Sequence, residues 1–272
     1  MNKKAALATF LALGVALVAY FIMRFVPTVV PPHRIFVDSV VTKVVDGKQK
    51  HDTIWEKVPD IELTNHLGEK VKLSDLRGKL VVADFFFTTC PTICPQMTLH
   101  MKQLQSSIKP QKKVGTKDTT FVHFVSFTVD PERDSVPQLK KFADRFQINP
   151  KNWWLVTGDK KEIYDLARDG MKLGINEVPV DATFIHPQKF ILIDKDGVIR
   201  ARKDKHGNVM LYDGLDTTDL KALAEDMVLL SLEKDPNREF FLSGKLEIIA
   251  VVFVLVAIGL VLLFTYLKKE KK

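Results

Sequence analysis

Two uncharged apolar runs bracket this chain and limit what it can fold into. Ala5–Met23 holds neither a charge nor a proline, and Ile248–Leu267 is uncharged and rich in Val, Leu and Ile. Each is close to the ~20 residues that a helix needs to cross a bilayer. The second is too long and too uniformly apolar for a buried core helix. The first has a competing reading as a cleaved signal peptide, but it is long for one and no clear A-x-A site follows it. Lys3, Lys4, Arg24, Lys268, Lys269, Lys271 and Lys272 flank the two runs and, with Glu270, account for six of the seven net positive charges. The middle of the chain is therefore nearly neutral, and the basic balance carries no nucleic-acid signal.

Two spans put both termini on one side of the membrane. The lysines after the second span favour the cytoplasm for that side. No Arg-rich transit segment precedes the first run, so the expectation is a bacterial inner membrane with a domain facing the periplasm. Disulfides form there. The chain has only two cysteines, too few for a disulfide scaffold.

Between the runs the pattern alternates strands and helices. Pro27, Pro31 and Pro32 make a stiff exit from the first span. Arg34–Trp55 carries two β-rich stretches around Asp46-Gly47, a hairpin signal. Pro59–Leu73 repeats the pattern around Leu67-Gly68. Leu80–Phe87 is an apolar strand interrupted only by Asp84, as expected of a strand covered on both faces. Pro95 is expected to open a helix with Met97, Met101, Leu104 and Ile108 on its apolar face. Phe121–Val129 and Trp153–Val156 read as strands. Asp134 and Ser135 are cap candidates for a helix through Pro137 and Phe146. Asp159, with Glu162 three residues on, opens another helix in the manner of a capping box. Residues 172–189 are loop-like. Phe190–Ile193 and Val198–Ala201 form a hairpin around Asp196-Gly197, and Thr217 to about Lys234 is the last helix. A βαβ part followed by a ββα part is the thioredoxin-like arrangement, a central sheet flanked by helices.

The chemistry concentrates in Phe87-Thr-Thr-Cys90-Pro-Thr-Ile-Cys94-Pro95. Both cysteines fall between a buried strand and the start of a helix, where unpaired backbone N–H groups favour an anionic sulfur. A thiolate there is both a nucleophile and a metal ligand. The i, i+4 spacing suits two ligands on one ion, and also a disulfide if the turn is distorted. A merely stabilising disulfide is disfavoured, because so short a loop removes little unfolded-state entropy. Metal binding and thiol redox chemistry both remain open on the cysteines alone. Among the seven histidines, His186 stands out as a third ligand, in the loop before the strand Phe190–Ile193. His100, on the cysteine helix but off its apolar stripe, reads as solvated, and His123 as packed within a strand. Met97 and Met101 read as core rather than as thioether ligands.

These residues resemble the SCO/SenC family, named for a part in the synthesis of cytochrome c oxidase. The resemblance runs from about Val58 to Lys234. Phe87–Pro95 resembles the family's FTxCPxxCP motif, Val129-Asp-Pro-Glu-Arg-Asp134 its VDPERD loop, and Asp181 with His186 its D-x4-H element before a strand and Asp-Gly turn. The resemblance implies a copper chaperone with Cys90, Cys94 and His186 as ligands. Soft thiolates with one imidazole suit Cu(I) in particular, with Cu(II) as the second state. It implies cytochrome c oxidase subunit II as partner, together with a copper donor and a thiol reductant. A membrane-tethered thiol–disulfide reductase is the competing reading, since the same sulfurs serve both tasks. Two features depart from the family pattern. Thr92 stands where Asp is frequent, and the second span is additional to the usual single anchor. Asp130 and Arg133 read as turn and ion-pair residues. The expected plan is an N-terminus over 1–4, a span over 5–23, a linker and hairpin over 24–57, the thioredoxin-like domain over 58–234, a linker over 235–247, a span over 248–267 and a basic tail over 268–272.

Overall fold

The computed structural model describes residues 32–45, 48–108, 121–175 and 187–233. Both apolar runs, Asp181 and His186 lie outside these residues. Among the described residues no helix is long and apolar enough to cross a membrane.

The domain opens with a short strand, β1 (His33–Arg34), then a hairpin of β2 (Val37–Val45) and β3 (Lys48–Trp55). Val45 pairs with Lys48, as expected of two strands joined in a hairpin, while Asp46-Gly47 lies outside the described residues. This hairpin is a sheet of its own. The next pair, β4 (Glu62–Asn65) and β5 (Lys70–Lys72), turns through Gly68 at φ +84°, a backbone setting that suits glycine.

The centre is a parallel run of β6 (Leu80–Phe86), α1 (Ile93–Ser107), β7 (Val122–Thr128), α2 (Val136–Arg145) and β8 (Trp153–Thr157). After it come α3 (Lys160–Asp165), which continues through a π turn, and the hairpin of β9 (Lys189–Ile193) and β10 (Ile199–Lys203). Short strands β11 (Val209–Met210) and β12 (Tyr212–Asp213) precede the last helix, α4 (Thr217–Leu232). The main sheet runs β1-β10-β9-β6-β7-β8-β4-β5, with β9 antiparallel to β6. Every residue of β6 and β7 is buried, as a continuous apolar strand in mid-sheet requires.

The core explains the apolar patterns. Register sets Asp84 beside Ser126 and Phe86 beside Thr128. Met101 meets that face through a hydrogen bond from the Ser126 hydroxyl to its sulfur, and Phe142 packs on Phe86 at 5.2 Å between ring centroids. Met97 and Met101 are both fully buried, so they are core residues. Asp159 caps α3 as expected, its carboxylate accepting from the Glu162 amide at 3.0 Å.

Three local expectations are corrected. First, α1 begins at Ile93, so Pro95 sits inside its first turn, where its missing N–H costs no helical bond. Second, Ser135 occupies the N-cap position of α2 but its side chain makes no cap bond, and Asp134 points elsewhere. Third, His100 is not simply solvated: its Nδ1 lies 2.8 Å from the Gly214 carbonyl oxygen, a group 114 residues away.

At the edge far from the cysteines, Arg200 gathers the two ends of the domain. Its Nε donates to the Pro32 carbonyl at 2.8 Å, and its terminal nitrogens reach Asp194 at 3.2 Å and Glu233 at 3.0 Å. Arg34 adds a second guanidinium against Asp194 at 3.2 Å. A buried arginine is tolerated because its charge is paired and its donors are used.

Candidate metal and redox centre

The β6 strand delivers the chain to a tight turn over Thr88–Thr89, closed by the Cys90 amide donating to the Phe87 carbonyl at 3.2 Å. Cys90 lies in this turn and Cys94 in the first turn of α1. Both are buried, and both are reduced thiols. Thr92 is the N-cap residue of α1, yet its side chain makes no cap bond. The Cys90 sulfur takes that place, accepting the Cys94 amide at 3.4 Å. An orphan helix N–H that an oxygen would normally satisfy is thus aimed at sulfur. The Thr92 hydroxyl adds a contact at 3.9 Å.

This environment separates the two thiols. Burial works against the Cys90 thiolate, but the Cys94 thiol, the Cys94 amide and Thr92 outweigh it and hold the Cys90 pKa below the ordinary thiol value. Cys94 moves the other way: burial first, then the neighbouring Cys90 sulfur, push it well above. Cys90 is therefore the more readily ionised thiol and Cys94 the more deeply buried one. The negative charge of Asp84, below the turn, adds to the rise at Cys94.

Asp84 is a feature the sequence displayed without its meaning. It is fully buried, and burial raises its carboxyl to about 7, with a Ser126 hydrogen bond in opposition. Its Oδ1 has no hydrogen-bond partner among the described residues. The interruption of an apolar strand was visible; that it faces the dithiol end of the core needs the sheet register.

Two buried histidines stay neutral. His123 is packed as expected, edge-on to Trp154 at 4.2 Å between centroids, with no hydrogen-bond partner at either ring nitrogen among the described residues. Burial, assisted by Lys79, lowers its pKa to about 3. His66 accepts the Leu155 amide at 3.2 Å, and burial lowers it as well. Neither joins the cysteines. Asp130 and Arg133 form the expected ion pair at 2.5 Å.

The sulfurs suit a soft cation. One thiol is shifted toward its anionic form and both are presented at one helix start, which fits Cu(I). Among the described residues no third Cys, His, Asp or Glu completes a metal-holding group with them. His186 lies outside those residues.

Comparison with known proteins gives consistent matches. The family model described as SCO1/SenC matches residues 51–210. A SCO1 protein homolog of Bacillus subtilis is 36% identical over 162 residues, covering 59% of this chain and 79% of that protein. A Stutzerimonas stutzeri protein named as a candidate copper-binding protein is 26% identical over 148 residues, covering 53% of this chain and 67% of its own length. Among solved structures, BsSco is described as a member of the Sco family of cytochrome c oxidase assembly proteins in which a disulfide switch was identified. It superposes with a TM-score of 0.52 at 32% identity, covering 66% of this chain and 95% of that one.

Proposed function

This chain belongs to the SCO1/SenC family, and from that premise we propose that it is a membrane-anchored copper metallochaperone for cytochrome c oxidase. The observation that carries the reading is the Cys90 sulfur seated on the Cys94 amide, beside a second thiol. Copper is the cargo. Cys90 and Cys94 supply two soft ligands, and His186 the third. Antiparallel pairing with β6 brings the start of β9, three residues after His186, to the sheet end where β6 delivers Phe87; this supports His186 as a ligand. Transfer to oxidase subunit II then proceeds by exchange of ligands, one sulfur at a time. The dithiol must be reduced for loading, which requires a thiol reductant as well as a copper donor.

The full chain, reduced and purified in detergent, is expected to retain one Cu(I). His186→Ala is expected to weaken retention at least tenfold while Cys90 and Cys94 still form a disulfide on oxidation. Copper that stays near zero in the fully reduced wild type rejects the reading. The two apolar runs support a periplasmic domain between two inner-membrane spans with cytoplasmic termini. Protease added to intact spheroplasts is expected to degrade the central domain, and a protected centre would reject this topology.

The unequal thiols favour a second reading, a membrane-tethered thiol–disulfide reductase. Cys90 attacks a disulfide on the partner, forms a mixed disulfide and releases one partner thiol. Cys94 then closes the Cys90–Cys94 disulfide and frees the other. This needs no metal, so it predicts that partner reduction survives His186→Ala.

A further inference from the structure

Asp134 ends the VDPERD loop and is fully buried, yet it caps no helix. Its carboxylate faces back across the sheet end toward the cysteine turn. Oδ2 accepts the Thr88 amide at 3.0 Å, and Oδ1 accepts the Thr88 hydroxyl. The Thr128 hydroxyl donates to Oδ2 as well. Gln138 Nε2 then donates to the Thr88 hydroxyl oxygen at 3.2 Å. The loop behind Asp134 is itself fixed. The Asp134 amide donates to the Asp130 carbonyl at 2.8 Å, and the Asp130 amide to the Thr128 hydroxyl at 3.0 Å. Tyr164 holds the Val129 carbonyl at 3.1 Å from another helix.

We propose that Asp134 is a positioning residue for the Cys90–Cys94 pair, holding Thr88 by both amide and hydroxyl and so fixing the turn that presents Cys90 to the start of α1. The inference rests on the dithiol reading above. One residue, Thr89, separates the held Thr88 from Cys90, and the turn that contains them closes on Phe87. A turn held at one side keeps the Cys90 sulfur over the Cys94 amide. Two sulfurs held near one another have a high effective concentration, which favours both the disulfide and shared coordination of one ion.

The test uses the full chain in detergent, equilibrated with glutathione and its disulfide. Two protein thiols lose two electrons and two protons as their S–S bond forms. One glutathione S–S bond breaks and yields two glutathione thiols. Asp134→Asn is expected to make the protein disulfide at least tenfold easier to reduce, about 30 mV for a two-electron couple. It is also expected to weaken Cu(I) retention against a competing chelator by a similar factor. Thr128→Val deletes a donor to Asp134 that does not belong to the cysteine turn. It is expected to lower the urea midpoint while changing the disulfide constant less than threefold. Thr88→Val keeps the amide bond to Asp134 and is expected to fall between. A disulfide constant unchanged in Asp134→Asn, or shifted equally in Thr128→Val, overturns the proposal and leaves Asp134 a structural residue only. If Asp134→Asn does not fold, the Thr88→Val shift decides, and no shift overturns it. A wild type that forms the disulfide but takes no copper rejects the copper reading and leaves the positioning role standing on the redox readout.

Discussion

Cys90→Ser is expected to remove Cu(I) retention by the reduced chain, to under a tenth of the wild-type stoichiometry. It is also expected to slow thiol alkylation at neutral pH by about 100-fold, because the only remaining thiol, Cys94, is buried and its pKa is raised. Cys94→Ser should lose copper to the same degree, since two sulfurs are needed. It should keep fast alkylation, because the serine hydroxyl can donate to the Cys90 sulfur in place of the Cys94 thiol, and the residue-94 amide and Thr92 remain as partners. The two variants are therefore alike in copper and unlike in reactivity. Equal alkylation rates would reject the division of roles between attacking and buried thiol. Retained copper in either variant would reject the ligand assignment.

The second large effect is a pair of opposed pH dependences within the core. His123 has its pKa lowered from 6.5 to about 3, so the stability tied to its neutral form is complete above 6.5 and is lost as pH falls toward 3. Asp84 has its pKa raised from 3.8 to about 7, so the native state keeps a proton that the unfolded chain releases. Its contribution is complete below 3.8 and is lost as pH rises toward 7. At about 1.4 kcal/mol per pH unit, each moves stability on the order of 4 kcal/mol across its window. The two cancel over much of the range between. Asp84→Asn is expected to exceed wild type increasingly as pH rises from 4 to 7, by up to about 4 kcal/mol. His123→Phe is expected to exceed wild type increasingly as pH falls over the same range. Urea unfolding followed by tryptophan fluorescence measures both differences. A difference from wild type that does not change with pH, in either variant, rejects the buried-titration account for that residue.

Features carried by adjacent residues were legible in the sequence. The turns at Gly68 and Gly197 rest on glycine, the Asp159 cap on a residue three positions away, and the buried strands on largely apolar runs. The Met97 and Met101 stripe was legible for the same reason, since a helix repeats itself every turn. The motif strings also sufficed to indicate the family. What escaped was whatever depends on residues distant in the chain. Asp134 has the local signature of a cap, and only the meeting of β6 with the loop after β7 reveals Thr88 as its partner, 46 positions away. His100 looks solvent-facing on a helical wheel, while its acceptor belongs to a loop near the other end of the domain. Asp84 needed the strand order to acquire a neighbourhood. Side-chain hydrogen bonds over such separations leave no period to read.

The Arg200 cluster has a structural consequence. Pro32 and Glu233 meet on one guanidinium beside Asp194, while the cysteine turn lies at the opposite end of β9 and β6. Five residues of strand separate them, roughly 17 Å. The two ends of the domain thus meet at one corner, and its thiols lie at the other end of these strands. Residues 32 and 233 are joined at this corner through the Arg200 guanidinium, away from the cysteine turn. The junction of the domain's ends and the chemistry of its thiols thus occupy opposite ends of the same strands, so a change at one need not alter the geometry of the other.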